Sequence, residues 1–237
     1  MKAFLNSLLS LAYPPVCLHC NQTLSNQDQL LCASCSPLLE LIDKELYCPR
    51  CFYGSPSKKA HACKNCATKS LATVSIAAAL EYMGPASSLI KQLKYGDKPY
   101  LAKGLAAFMA AQFVSLDWPA PDFIIPVPQA FSRFLTRGYN QAELLGETLS
   151  NLLNCPLKLA LKRKSGSFSQ AALNKEERLQ MEEQTIYLKK NQHLEDKVIL
   201  LVDDVLTTGT TLQKCAESLM EEAPSAIYAL AACYTEN

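Results

Sequence analysis

Two adjacent aspartates, Asp203 and Asp204, close the apolar run "VILLV" and stand two residues ahead of "TTGTT" at 207–211. Ionised carboxylates only accept hydrogen bonds. Two of them side by side suit a ligand with two neighbouring O–H donors, which is a vicinal diol. If "VILLV" is a central strand, the pair sits just past its carboxyl end, the edge where parallel sheets bind ligands. Side-chain alternation relaxes there, so both carboxylates can turn toward one ligand. Thr207, Thr208, Gly209, Thr210 and Thr211 lead into a helical pattern, "GTTLQKCAESLMEEA". A helix N-terminus presents unpaired N–H groups and about half a positive charge. Gly209 lets the backbone come close or take a positive φ, and the hydroxyls add neutral donors. The combination is a cradle for a phosphate monoester beside a diol, as in ribose 5-phosphate and its activated form, phosphoribosyl pyrophosphate. The turn has no lysine, whereas a nucleotide-hydrolysing loop reads G-x-x-x-x-G-K-[ST]. The phosphate is therefore expected to be held and not transferred. A bare Asp-Asp also fits a helix N-cap or a Mg²⁺ site. The threonine-rich turn favours the sugar phosphate, with Asp203 and Asp204 as catalytic candidates.

Chemistry at the anomeric carbon of such a ligand releases pyrophosphate, so a second anion site is required. Mg²⁺ would be held mostly by the ligand's own oxygens. "DFIIPVPQAFSRFLTRGYNQAELL" again runs strand, loop, helix. Arg133 and Arg137 can fork onto phosphate oxygens, and Gly138 opens the backbone before the helix. Lys94, with Lys91, is a further candidate that fits a solvated helix face equally well. Residues 161–182 are polar and basic, with no strand signal, and read as a long loop. Arg163, Gln170 and Arg178 could contact a ligand from it if it closes as a lid; the other reading is a disordered surface loop.

Eight of the eleven cysteines form four C-x-x-C pairs: Cys17/Cys20, Cys32/Cys35, Cys48/Cys51 and Cys63/Cys66. Each pair turns two thiolates toward one ion, and two pairs complete a tetrahedral Cys₄ zinc site. An iron–sulfur cluster is the rival, and the regular knuckles favour about two structural Zn²⁺. Sequential pairing is preferred; a crossed arrangement fits the same spacings. His19 and His61 are spare ligands. Cys155, Cys215 and Cys233 read as small buried apolar residues. Thiolates in this pattern belong to a reducing compartment, so the expected location is cytoplasmic. The opening "MKAFLNSLLSLAYPP" reads as a short amphipathic helix ended by prolines, and not as a signal peptide.

These sites need a frame. After the cysteine-rich segment, strand patterns ("LATVSIAAALEY", "DFIIPVP", "VILLV", "AIYALAACY") alternate with helical ones. That order implies an α/β unit with a mostly parallel sheet and crossover helices. The expected division is an N-terminal helix and double zinc-ribbon module over 1–70 and a ligand-binding unit over 71–237. A net charge of +1 gives no global field for nucleic acid or membrane.

The aspartate–threonine stretch resembles the signature of type I phosphoribosyltransferases. The whole chain resembles the ComF (ComF/GntX) family of competence-associated phosphoribosyltransferase-like proteins. "LLSLAYPPVCLHC", the four C-x-x-C pairs, "LIKQLKYGD", "DFIIPVP", "SRFLTRGYNQA", "LKRKSGSFSQAALNKEER" and "VILLVDDVLTTGTTL" carry the likeness. It implies a cytoplasmic bacterial protein, a type I phosphoribosyltransferase fold behind a zinc module, and a link to natural transformation, where incoming single-stranded DNA is handled. "LQMEEQTIYL" and "EEAPSA" depart from the family's usual residues. Two functions stay open. One is a phosphoribosyltransferase whose acceptor is unidentified. The other is a non-catalytic module that keeps the site as a sensor or scaffold and binds single-stranded DNA or the competence machinery. For the second, Arg50, Phe52, Tyr53, Lys58, Lys59, Lys64 and Lys69 could stack bases and meet phosphates; they also fit an ordinary solvated surface.

Overall fold

Four strands build the centre: β1 (Ser75–Glu81), β2 (Phe123–Pro126), β5 (Val198–Leu206) and β6 (Ala226–Tyr234). They form one parallel sheet in the order β1-β6-β5-β2. The computed structural model describes residues 15–26, 29–54, 63, 66, 71–163 and 186–236. Ile199, Leu200, Leu201 and Val202 are fully buried, as expected for a strand covered on both faces. Between β1 and β2 run α1 (Gly84–Tyr95) and α2 (Leu101–Ser115), and after β2 come α3 (Phe131–Arg137) and α4 (Gln141–Leu153). α2 and α4 pack on each other; α2 lies on β1 and β6, and α4 on β5 and β2. α5 (Thr210–Leu219) packs against β5 and against a hairpin of β3 (Leu161–Arg163) and β4 (Ile186–Leu188).

That hairpin corrects the sequence reading at one end of the basic segment. Residues 161–163 are a strand, paired antiparallel as Leu161 with Leu188 and Arg163 with Ile186. Three residues are too few to show a period; burial of Leu161 and Ile186 selects the pairing. The rest of the 161–182 segment, with Gln170 and Arg178, lies outside the described residues, as do 1–14. The loop expected after β2 also holds a helix, α3, which Gly138 terminates at φ 76°. A left-handed residue at that place is the usual glycine stop.

The cysteine-rich module is fastened to the free edge of the sheet. Ile42 N–H donates to Ala79 O at 2.9 Å and Ile76 N–H to Arg50 O at 3.0 Å. Ser75 Oγ donates to Pro49 O. Gln112, buried in α2, donates to Ile42 O at 3.1 Å. Tyr47 stacks on Phe52 at 4.6 Å, and both meet Tyr234 edge-on. The module thereby covers an edge strand that would otherwise present unpaired backbone groups.

Candidate functional site

β5 does not stop at Val202. It continues to Leu206 because β6 continues beside it, with Asp203 opposite Ala231 and Leu206 opposite Tyr234. β2, on the other side, stops at Pro126 opposite Val202. The aspartates therefore lie inside the strand and not beyond it, on the part that β2 leaves uncovered. Both line one cleft. Asp204 faces α1, where Lys94 Nζ approaches its Oδ1 at 2.9 Å. Asp203 acts on Cys215 of α5 and on Arg163 of β3. Its Oδ1 accepts the Asp204 N–H at 2.8 Å. Burial and then the Asp204 charge push the Asp203 carboxyl up to about 7, against the pull of that N–H and of Lys94 and Arg163.

The 207–211 turn joins β5 to α5. Gly209 is its hinge at φ 73° and caps the helix. Thr208 Oγ1 lies 2.9 Å from Thr210 Oγ1 and accepts the Thr210 N–H at 3.4 Å. Thr207, Thr208 and Thr210 are exposed.

One cleft of about 720 Å³ brings Lys94, Arg133, Arg137, Asp203, Asp204, Thr207, Thr208, Thr210 and Thr211 together. Gly138 and Gly209 shape its loops and are not among its lining side chains. Lys91 is exposed on α1. Arg137 lies 4.9 Å over the Tyr95 ring and donates to Gln141 at 2.9 Å. Tyr139 Oη donates to Leu93 O at 2.8 Å, which ties α1 to the start of α4. Tyr82, Tyr95, Gln129 and Lys214 also line the cleft and were not anticipated. Lys214 had a signal: it stands one helical turn after Thr210 and Thr211. Tyr82 and Gln129 had none. Among the described residues the lining holds five cations (Lys94, Arg133, Arg137, Arg163, Lys214) against two carboxylates, a balance suited to a polyanion.

The cysteines fall into two clusters, Cys17/Cys20/Cys32/Cys35 and Cys48/Cys51/Cys63/Cys66, each with its sulfurs within 4.8 Å of one another. That is the sequential pairing. Cys20–Cys32 and Cys48–Cys66 sulfurs stand 3.7 Å apart and Cys51–Cys63 3.6 Å. A tetrahedron with Zn–S of about 2.3 Å has edges of roughly 3.8 Å, so the donor sets fit zinc. Burial pushes the Cys35 thiol up to about 12 and the Cys66 thiol higher still; a bound cation is what would hold such groups as thiolates. His19 is engaged elsewhere, 2.9 Å from Ser88 Oγ; His61 lies outside the described residues. Cys155, Cys215 and Cys233 are buried. Phe52 is 2% exposed, so it packs the module and cannot stack a base. Tyr53 is exposed. Lys58, Lys59, Lys64 and Lys69 lie outside the described residues.

Residues 100–236 match the phosphoribosyl transferase domain family and residues 8–67 the double zinc ribbon domain family. Competence protein F of Haemophilus influenzae is 31% identical over 211 residues, 86% of this chain and 90% of that protein. The chain belongs to the ComF family. Among its relatives are DNA utilization protein YhgH of Escherichia coli K12, 28% identical over 95% of this chain and 99% of that protein. Competence protein ComFC of Bacillus subtilis is 27% identical over 89% and 91%. The purine phosphoribosyltransferase structure from Pyrococcus horikoshii is 22% identical with a TM-score of 0.34, covering 54% of this chain and 68% of that one. The ComF chain thus joins a type I phosphoribosyltransferase domain, with its parallel sheet flanked by helices, to a double zinc ribbon. Among the described residues, no helix is long and apolar enough to cross a membrane.

Proposed function

We propose that the cleft binds phosphoribosyl pyrophosphate with Mg²⁺ and that the protein acts as a phosphoribosyltransferase. The observation that carries this is the meeting of the acidic pair, the threonine turn and five cations at the carboxyl edge of one parallel sheet. The 207–211 turn would take the 5′-phosphate on its amides and hydroxyls. Asp203 and Asp204 would accept from the ribose diol; Asp204 would share its charge between Lys94 and the ligand. Arg133, Arg137 and Lys94, with the Gly138 turn, would receive the pyrophosphate. Mg²⁺, when bound, would add neutralisation of the departing pyrophosphate's charge. The 1–70 module, holding about two structural Zn²⁺, would be a platform for the 71–237 unit, in a reducing cytoplasm. The relatives named for DNA utilization and competence support a role for the transferred group or the bound ligand in handling DNA. They equally favour the second reading, a non-catalytic sensor or scaffold that binds single-stranded DNA or competence partners through this site's neighbours.

Titration calorimetry with phosphoribosyl pyrophosphate and Mg²⁺ tests the first reading. The wild type should bind, and Asp203→Ala/Asp204→Ala should lose binding with its melting temperature not lowered. Unchanged affinity in that folded variant removes the reading. Release of pyrophosphate across an acceptor panel separates enzyme from sensor.

A further inference from the structure

We infer that residues 47–54 of the second zinc ribbon position the rim of the cleft, so that a metal ion held by Cys48/Cys51/Cys63/Cys66 and a ligand in the cleft each tighten the other. Two contacts anchor this loop, each at a residue that immediately precedes a lining residue. Tyr47 Oη donates to Glu81, and the next residue, Tyr82, lines the cleft. Phe52 packs edge-on against Tyr234 at 5.5 Å, and the next residue, Thr235, lines it too. The two rim residues share one network. Tyr82 N–H donates to Tyr234 O at 2.7 Å, and Thr235 N–H to Leu206 O at 3.0 Å. Leu206 leads directly into the 207–211 turn. From the Cys48–Cys51 knuckle to that turn, every link is a packed ring, a hydrogen bond or the chain itself.

The two ribbons differ at one matching position. The residue after the first knuckle is Asn21 at φ 62°, and the residue after the second is Phe52 at φ 58°. Asparagine tolerates the left-handed region, and a bulky aromatic side chain does so poorly. Asn21 is exposed, whereas Phe52 is buried between Tyr47 and Tyr234. A strained residue persists only where its surroundings over-determine it. On one side stands the knuckle, where Cys48 O accepts the Phe52 N–H at 2.9 Å. On the other stands the end of β6. Loss of the ion frees the knuckle, and with it the ring that bears on Tyr234. The first ribbon instead meets α1 through His19 and Ser88, away from the end of α1 that carries Lys94 into the cleft. Coupling between two bound groups is reciprocal, so a ligand on the rim must hold the second ion more firmly than the first.

The inference rests on the sugar-phosphate reading only for the identity of the ligand. The full-length, zinc-loaded protein is exposed to a zinc-selective chelator and iodoacetamide, and alkylation of each cysteine is followed by peptide mass spectrometry. Buried Cys155 reports global opening. Phosphoribosyl pyrophosphate with excess Mg²⁺ should slow labelling of Cys48, Cys51, Cys63 and Cys66 at least about fivefold, and that of Cys17, Cys20, Cys32 and Cys35 by less than about twofold. Tyr47→Phe, checked for melting temperature and full zinc content, should remove most of this protection. Equal slowing of both clusters, no slowing by a bound ligand, or protection that survives Tyr47→Phe overturns the inference. Inorganic phosphate is the second probe, because the amides of the 207–211 turn would take it without the sugar. Calorimetry in the same buffer reports binding. Selective protection by phosphate, with phosphoribosyl pyrophosphate unbound, would fail the sugar-phosphate reading alone. Bound phosphoribosyl pyrophosphate without selective protection would fail the coupling alone, and protection by neither probe with neither bound would fail both.

Discussion

Asp203 is the residue where folding and ligand binding pull against each other. Burial and the Asp204 charge hold its carboxyl at about 7, above the ordinary value of about 3.9. A raised carboxyl favours the folded state only while protonated. Its contribution is complete below about pH 4 and is lost as pH climbs through about 7. Asp203→Asn should therefore raise the melting temperature by several degrees at about pH 8 and change it little at about pH 4; thermal scans at both values check this. A diol needs the ionised acceptor, so affinity for phosphoribosyl pyrophosphate in the wild type should rise between about pH 6 and about pH 8. A flat calorimetric profile would take Asp203 out of the ligand's reach.

At the level of elements, the site depends on one strand outrunning its neighbour. β5 extends past the end of β2, and the exposed stretch is where the carboxylates stand. Gly209 then reverses the chain at φ 73° with only Leu206 and Ile76 side chains near its missing Cβ. Space is not the constraint there; conformation is. Gly209→Ala should cost roughly 1–2 kcal/mol, read by urea unfolding, and should weaken phosphate binding more than fivefold. A second dependence lies at the opposite edge. Phe52 is buried between Tyr47 and Tyr234, and Tyr234 ends the strand that pairs with β5. Phe52→Ala should destabilise the protein by about 3–5 kcal/mol, seen as a lowered denaturation midpoint.

Over the whole molecule, the zinc-ribbon module is part of the sheet's boundary and not an appendage. Its backbone pairs with β1, and its side chains join the main core. Removing metal should therefore affect both units. Elemental analysis should find about two Zn²⁺ per chain. Chelation should lower the melting temperature of the entire protein in one transition. Iron with visible absorbance would replace zinc by a cluster, and two separate transitions would mean that the units are independent.

Local chemistry made much of this legible from sequence. The apolar run before Asp203, the threonines around Gly209, and four C-x-x-C pairs each act through residues a few positions apart, and short-range spacing survives in any fold. The tertiary structure decided what depends on partners distant in the chain. Whether β5 stops at Val202 or goes on to Leu206 is settled by β6, whose ladder continues, and by β2, whose ladder stops. Phe52 looked like a base-stacking residue until Tyr47 and Tyr234 closed over it. Leu161–Arg163 became a strand only because Ile186–Leu188, more than twenty residues later, supplies the other half of its hydrogen bonds. Gln129 carries no local signal at all. Its place in the cleft wall is a property of the packed molecule that no stretch of sequence around it encodes.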